Sequence, residues 1–351
     1  QSVGLLLPLS GPRAPLGESM LRAAEMALFD VANQHFELIV RDTGGTPQGA
    51  REAARAAVDA GANLLLGPVF SSSVKAVKPV AEGARVPVLA FSNNPAVAEP
   101  GIYVLGLMPE QQVRRIVSYA TSRGKRRFAV LAPRNAYGKL VVQALRAATG
   151  RYGGQVTGVA FYEPGAQNVS DQVKRLADSG FGSAPGSAVL LPAGGKQLQT
   201  IAPTFPFHDI DPEEVQFLGT VLWNDPMLGT EPALVGGWFP APSPEGQESF
   251  NRRYRRIYAG PPGELASLAY DATALAALLA RRGETAKTGE NGAAVYSTER
   301  LTQPNGFVGT DGVFRLNRDG TVQRLYAIME MQRKALKVID PAPESFQKLL
   351  N

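Results

Sequence analysis

Short apolar runs alternate with amphipathic stretches in the first part of the chain. Residues 3–7, 36–40, 64–66 and 86–90 read as strands. Apolar residues recur at helical spacing between them, and helices are predicted up to Val31 and near residues 47–60 and 72–83. Pro79 is expected to kink or shorten the last of these helices. This rhythm predicts a parallel sheet with helices on both faces.

The same rhythm restarts in the middle of the chain. Strands are predicted at residues 128–131, 155–161, 188–191 and 215–218, with helices around Val113 and Val117 and near residues 139–149 and 169–178. Since 351 residues exceed the size at which one core usually stops growing, we predict an α/β fold of two doubly wound parallel-sheet lobes.

Three Gly- or Pro-containing segments mark crossovers between the lobes, at residues 106–109, 236–244 and 306–312. An Arg-rich helix and a helix near residues 264–280 lie between the last two segments. If these helices return to the first lobe, the lobes share a three-segment hinge. The expected N-terminal lobe is 1–106 with 239–308, and the expected C-terminal lobe is 107–238 with 309–351.

Composition narrows the function classes. The 36 Lys and Arg against 31 Asp and Glu give a net charge of +5, and the basic residues are scattered, so we predict no nucleic-acid partner. The chain has no cysteine, which excludes disulfides, thiolate catalysis and Cys-ligated metal. No apolar run reaches the roughly 20 residues of a membrane span.

Motifs of catalysis and cofactor binding are missing. The two histidines, His35 and His208, have no partner at metal-ligand spacing. There is no Gly-x-Ser-x-Gly elbow, no phosphate-binding loop and no dinucleotide fingerprint after the first strand. We therefore expect no catalysis, no metal and no cofactor.

Polar residues follow the predicted strands of the first lobe, where parallel sheets bind ligands. Ser71 and Ser72 lie where a buried strand gives way to a helix, and they suit a carboxylate or a plain helix cap. Ser92, Asn93 and Asn94 follow the next strand and suit either ligand binding or turn formation.

Two large aromatic residues stand at strand ends of the second lobe. Tyr137 opens a predicted helix and could reach a ligand with its ring and hydroxyl, and Trp223 follows the strand at residues 215–218. For both, simple core packing is the competing interpretation.

The chain resembles the type I periplasmic binding proteins, in the branch that includes the leucine/isoleucine/valine-binding proteins. The resemblance covers nearly the whole chain. It is carried by short motifs in a fixed order, at residues 5–11, 41–43, 67–73, 86–89, 135–138 and 270–272.

The resemblance implies that Ser71 and residues 92–95 hold the carboxylate and amino group of an amino acid, and that Tyr137 closes over it from the other lobe. In those proteins a carboxylate in the loop matching residues 219–225 meets the ammonium group. Here that loop carries Thr220 and Trp223. Asp225 lies close to the position of that carboxylate in the loop but does not align with it. The first-lobe cysteine pair is also missing, with Phe70 at one of its positions.

These departures resemble a neighbouring branch, the C-terminal domain of outer-membrane lipoproteins that activate penicillin-binding proteins. Two functions therefore stay open. The first is a periplasmic solute-binding protein that binds an amino acid or similar small carboxylate in an interlobe cleft, with the membrane permease of an ABC transporter as partner. The second is an interaction module that regulates a penicillin-binding protein. Both imply an exported, periplasmic protein, with any signal peptide or lipid anchor ahead of the numbered region.

Overall fold

The computed structural model describes residues 1–31, 35–179, 181–182, 184–285 and 295–349. The chain forms two compact units. The first consists of Gln1–Met108, Pro244–Leu325 and a C-terminal stretch from Glu344, and the second of Pro109–Ser243 and Tyr326–Pro343.

The first unit is built on a five-stranded parallel sheet. Its strands are β1 (Ser2–Leu7), β2 (Glu37–Asp42), β3 (Leu64–Leu66), β4 (Val88–Ala90) and β5 (Ile102–Val104), in the order β2-β1-β3-β4-β5. The side chains of β1 from Val3 to Leu7 are buried, because helices cover both faces of a parallel sheet.

Three helices of this region connect the strands: α1 (Ala14–Val31), α2 (Pro47–Asp59) and α3 (Ser71–Ala84). Thr46 caps α2 by accepting a hydrogen bond from the N–H of Gly49, and Pro47 occupies the first helical position. Helix α3 continues past Pro79 to Ala84, so the proline does not end the helix.

The second unit repeats this architecture with five parallel strands: β6 (Arg127–Pro133), β7 (Gln155–Tyr162), β8 (Ser187–Leu190), β9 (Gln216–Leu218) and β10 (Trp238–Ala241). Its helices are α4 (Pro109–Ser122), α5 (Ala136–Tyr152), α6 (Ser170–Asp178), α7 (Gly195–Ile201) and α8 (Thr204–Phe207). The two-lobed α/β fold with parallel sheets is as predicted.

The chain then returns to the first unit. This region contains α9 (Pro244–Tyr258), α10 (Ala266–Thr285), α11 (Thr298–Leu301), β11 (Phe307–Gly309), β12 (Gly312–Leu316) and β13 (Val322–Arg324). The last three strands form an antiparallel sheet in the order β11-β12-β13. The hairpin expected at residues 317–320 joins β12 to β13.

An antiparallel hairpin, β14 (Ala327–Gln332) and β15 (Ala335–Asp340), completes the second unit as a seven-stranded sheet in the order β15-β14-β10-β9-β8-β6-β7. The unit boundaries differ from the expected domain boundaries. Residues 309–325 lie in the first unit because β12 and β13 pair with β11, and residues 239–243 lie in the second because β10 pairs with β9 and β14. The chain passes between the units at four points instead of three.

Within the described part of the chain, no helix has both the length and the apolar character needed to cross a bilayer.

Candidate ligand-binding loops

Hydrogen bonds join the loop after β1 to the loop after β2, and the loop after β3 to the loop after β4. Oδ1 of Asp42 accepts from the N–H groups of Leu9 at 2.8 Å, Ser10 at 3.2 Å and Gly44 at 2.8 Å. The N–H of Phe91 donates to the carbonyl of Pro68 at 3.0 Å. These bonds hold polar loops of four neighbouring strands at one edge of the first sheet.

Asp42 is the acidic group of this loop cluster. Burial acts to raise the pKa of Asp42, but the hydroxyl of Ser10 and the three backbone N–H groups hold it below its usual value. The carboxylate is therefore ionised at neutral pH and is already engaged by the loops.

Helix α3 begins without a side-chain cap. The N-cap residue is Phe70, which offers no hydrogen-bonding side chain, and Ser71 is the first helical residue. The interpretation of the serines as a plain cap is therefore wrong. The first-turn N–H groups of a helix have no intrahelical acceptor, so this end is left to bind an acceptor from elsewhere.

The serine hydroxyls at this end are also uncommitted. Ser71 is half-buried and Ser72 exposed, and neither hydroxyl has a hydrogen-bond partner among the described residues. Ser73 is 1% exposed, and its Oγ likewise lacks a partner there. Three consecutive hydroxyls thus surround a helix N-terminus that favours negative charge.

A cation lies beside the same helix end. The guanidinium carbon of Arg13 is 5.8 Å from the centroid of the Phe70 ring, and Arg13 is exposed. Arg13 is not among the predicted site residues, although a basic side chain in the loop after β1 is a visible signal in the sequence. Arg13 and the end of α3 together make the site attractive to an anion.

The predicted residues after β4 divide into two groups. Ser92 is buried, and its Oγ accepts from the N–H of Asn94 at 3.2 Å; Oδ1 of Asn94 accepts from the N–H of Ala96 at 3.0 Å. These two side chains form the turn, as the competing interpretation held. Asn93 is exposed and its amide has no partner among the described residues, so it can bind a ligand.

Tyr137 of the second unit is held by a buried threonine. Its hydroxyl shares a hydrogen bond of 3.0 Å with Oγ1 of Thr220, whose side chain is fully buried. Burial raises the pKa of Tyr137 to about 12, and the bond to Thr220 partly opposes this. Burial also raises the pKa of the neighbouring Tyr162 to about 12, assisted by the charge that Tyr137 would carry. Both phenols are therefore neutral at physiological pH.

Trp223 is a core residue, so the prediction that it binds a ligand is wrong. The side chain is fully buried, and its Nε1 donates to the carbonyl of Leu191 at 3.0 Å. Its ring lies 6.2 Å from that of Phe239. A Cβ on Gly219 would lie 2.3 Å from the indole, so the ring fills the space beside that glycine and leaves no surface for a ligand.

Acidic side chains at the strand ends of the second unit are engaged as well. Asp225 accepts from the N–H of Met227 at 2.9 Å and caps a short 3-10 turn. Glu163 forms an ion pair with Arg134 at 2.7 Å. Across the residues with described positions, no group of three His, Asp or Glu side chains could hold a metal ion.

A family model covers most of the chain. The family model described as "Periplasmic binding protein" matches residues 1–335. The chain belongs to the periplasmic binding protein family. Its resemblance to the type I, leucine-binding-like branch is thereby confirmed.

Two curated relatives match part of this chain. An uncharacterised protein of Rickettsia prowazekii is 24% identical over 177 residues, which are 50% of this chain and 47% of that protein. The penicillin-binding protein activator LpoA of Vibrio cholerae is 24% identical over 228 residues, 58% of this chain and 37% of LpoA. The chain therefore spans less than half the length of either relative.

Solved structures of periplasmic binding proteins share the fold. A protein from Rhodospirillum rubrum, provisionally described as a branched-chain amino acid ABC transporter, has a TM-score of 0.82 and 19% identity, with 96% of this chain and 99% of that chain covered. LivJ of Streptococcus pneumoniae in complex with isoleucine has a TM-score of 0.67 and 18% identity, with 97% and 99% covered. A solute-binding protein from R. palustris in complex with benzoate has a TM-score of 0.68 and 17% identity, with 97% of each covered.

Proposed function

We propose that this chain is a periplasmic solute-binding protein that binds an amino acid or a similar small carboxylate and delivers it to the membrane permease of an ABC-type transporter. The observation that carries the proposal is the start of α3, where Phe70 leaves the first turn uncapped and Ser71 has an unpartnered hydroxyl. Backbone N–H groups and a hydroxyl at a helix N-terminus are well suited to a carboxylate.

The electrostatics of the first unit support an anionic ligand. Arg13 lies beside the helix end, and Asn93 offers a free amide. Asp42, the acid of these loops, is engaged by three N–H groups. An anion would therefore meet donors and a cation at this edge of the sheet, where the loops themselves already stabilise the charge of Asp42.

The acceptors needed for an ammonium group are scarce at the strand ends. Asp42 and Asp225 accept backbone hydrogen bonds, and Glu163 is paired with Arg134. This favours a carboxylate without an ammonium group within the proposed class. The benzoate complex of the R. palustris protein illustrates such a ligand in a protein of the same fold.

Isothermal titration calorimetry tests the proposal. The protein is titrated with benzoate, aliphatic mono- and dicarboxylates, leucine and isoleucine, and then the Ser71→Ala variant is titrated with each ligand that binds. Losing a hydroxyl that binds a charged group costs about 1.5–3 kcal/mol, so Kd should rise about 10- to 150-fold.

Ser170→Ala is the control in the second unit. Ser170 is the first residue of α6 and its hydroxyl bonds Nε2 of His208 at 2.6 Å, so the substitution can lower stability but should leave Kd unchanged. A ligand at 100 times its Kd should also stabilise the fold by about 2.7 kcal/mol. The proposal fails if no carboxylate binds the folded protein.

The second candidate is an interaction module that activates a penicillin-binding protein, and the match to LpoA of Vibrio cholerae favours it. Capture with the immobilised chain from a periplasmic and membrane extract distinguishes the two. Recovery of a transporter permease supports solute delivery, whereas recovery of a penicillin-binding protein without any carboxylate binding supports the module. The prediction that Tyr137 contacts the ligand stays a prediction.

A further inference from the structure

The first unit contains a groove of about 850 Å³ between helices α9 and α10 and strand β11. Its floor and walls include Phe250 of α9 and Leu275 and Leu278 of α10. None of the candidate ligand-binding loops lines it, so the groove is separate from the site proposed above.

The edge of a strand forms one wall of this groove. Residues 306–310, which include all of β11, line it without a gap. Successive side chains of a strand point to opposite faces, so consecutive residues can line one groove only when the strand presents its edge. Strand β11 is the edge strand of its sheet, since it pairs with β12 alone.

The hydrogen-bonding groups of Val308 point out of the sheet. Val308 lies opposite Val313, and the carbonyl of Val313 accepts from the N–H of Leu325 on the other side, at 3.0 Å. In an antiparallel sheet the N–H and C=O of one residue point to the same side, so Val308 and Val313 form a pair without mutual hydrogen bonds. The N–H and C=O of Val308 consequently face away from β12, and no described residue bonds them.

The side chain of Val308 is also uncovered. It is 86% exposed, which is unusual for a valine on an edge strand, because natural proteins usually protect such edges with charge, proline or covering loops. A free backbone edge beside an exposed β-branched side chain is the feature that strand-addition sites use.

The charged side chains around the groove favour an acidic peptide over a basic one. Arg253 of α9 and Arg282 of α10 line it, and the exposed Arg256 lies one turn beyond Arg253 on the same helix. Arg253 is paired with Asp30. The lining carboxyl, Asp271, is 4% exposed and accepts from the N–H of Thr310 at 2.7 Å, so it holds the end of the strand.

We propose that β11 is a docking edge for an extended, acidic segment of a partner protein, which adds to the sheet as a fourth strand beside Val308. The backbone of the segment pairs with the free N–H and C=O of Val308, and its acidic side chains lie toward the arginines of α9 and α10. The three residues of β11 correspond to about 10 Å of strand, which a short linear segment of the partner can span.

Fluorescence anisotropy with synthetic peptides tests this proposal on the intact chain. The probe is a labelled heptapeptide in which valine alternates with glutamate. A second peptide has lysine in place of glutamate, and a third keeps glutamate but carries N-methyl groups on alternate residues, which removes the N–H donors of one edge. We expect the acidic peptide to bind about tenfold or more tightly than either of the others.

Variants of the protein provide the second arm. Val308→Pro removes the N–H of the edge and should weaken binding of the acidic peptide about tenfold or more, whereas Val308→Thr keeps the backbone and should bind like the wild type. The comparison of the N-methylated peptide uses the unaltered protein, so it holds even if Val308→Pro does not fold.

Three results would overturn the proposal. The first is no binding of the acidic peptide, and the second is equal binding of the acidic and N-methylated peptides. The third is a dimer of the wild-type chain in analytical ultracentrifugation that Val308→Pro abolishes, because the occupant of the edge would then be a second copy of the chain.

Discussion

The hydroxyl of Tyr137 lies 3.0 Å from Oγ1 of Thr220, and this bond joins the first turn of α5 to the loop after β9. Because Thr220 is fully buried, no water can replace a lost partner at low cost. The pair therefore stabilises the strand-end loops of the second unit, whatever Tyr137 does for a ligand.

Tyr137→Phe should lower the free energy of unfolding by about 1 kcal/mol, the usual net contribution of one hydrogen bond. Urea unfolding followed by circular dichroism measures the change. Tyr152→Phe is the control, since Tyr152 lies on the same helix and its hydroxyl has no partner among the described residues. Equal effects of the two substitutions would contradict a stabilising role for the bond.

Arg13→Ala should weaken binding of a carboxylate about 2- to 5-fold at low ionic strength, since an exposed charge near a helix end contributes about 0.3–1 kcal/mol. The loss should shrink as salt is added. Arg22→Ala is a matched control, because Arg22 lies 5.8 Å from the ring of Tyr258, in an aromatic contact like that of Arg13 with Phe70. Calorimetry at two salt concentrations should separate them, and a salt-independent loss would argue against a charge effect.

Gly138→Ala should destabilise the protein by about 3 kcal/mol, the upper range for overpacking. A Cβ at this position would lie 1.9 Å from the carbonyl oxygen of Pro133. Gly150→Ala in the same helix has open space around its Cβ and should stabilise by about 0.5–1 kcal/mol. Thermal unfolding should show a lower Tm for Gly138→Ala and a higher Tm for Gly150→Ala. A change of the same sign in both variants would show that the close approach to Pro133 does not exclude a side chain at residue 138.

Asp271 should make the stability of the protein depend on pH. Burial and the charge of Asp311 raise its pKa from 3.8 to about 7, against the opposing effects of Arg324 and the N–H of Thr310. Between those two values the folded chain keeps a proton that the unfolded chain has lost. The contribution of Asp271 to stability is therefore full at low pH and is lost as the pH rises to about 7.

Asp271→Asn should remove this component from the pH profile. Urea unfolding between about pH 3 and about pH 8, a range that brackets both pKa values, compares the variant with the wild type and with Asp59→Asn, which changes an exposed acid at the end of α2. The Asp271→Asn profile should fall less steeply with rising pH. If all three profiles are parallel, the carboxyl does not titrate in this window.

Much of the fold can be predicted from the period of the apolar residues. Strands that pair with a segment far away in the chain cannot be predicted in this way. Strand β10 contains Pro240 and lies in a Gly- and Pro-containing segment that reads as a crossover, yet it pairs with β14 from much later in the chain. Pro79 is tolerated within α3 for a related reason: helix stability in proteins comes largely from packing, and Val74, Val77 and Ala81 are buried.

The sequence predicted where the candidate site lies better than it predicted what each side chain does there. Ser71, Ser92 and Tyr137 do lie at strand ends, because parallel strands bring their following loops to one edge of a sheet. Whether a side chain there faces solvent depends on packing, as Trp223 and the turn-forming Asn94 show. Thr220 could be recognised as the partner of Tyr137 only from the fold, since the two residues are far apart in the chain.

Both tryptophans of the chain, Trp223 and Trp238, belong to the second unit. Intrinsic fluorescence excited at the indole band thus reports on that unit, while circular dichroism reports on both. Coincident transitions by the two signals would mean that the units unfold as one cooperative system, and separated transitions would give each unit its own stability. The indole of Trp223, which is buried against Gly219, is therefore an intrinsic fluorescent probe for the unfolding of the second unit.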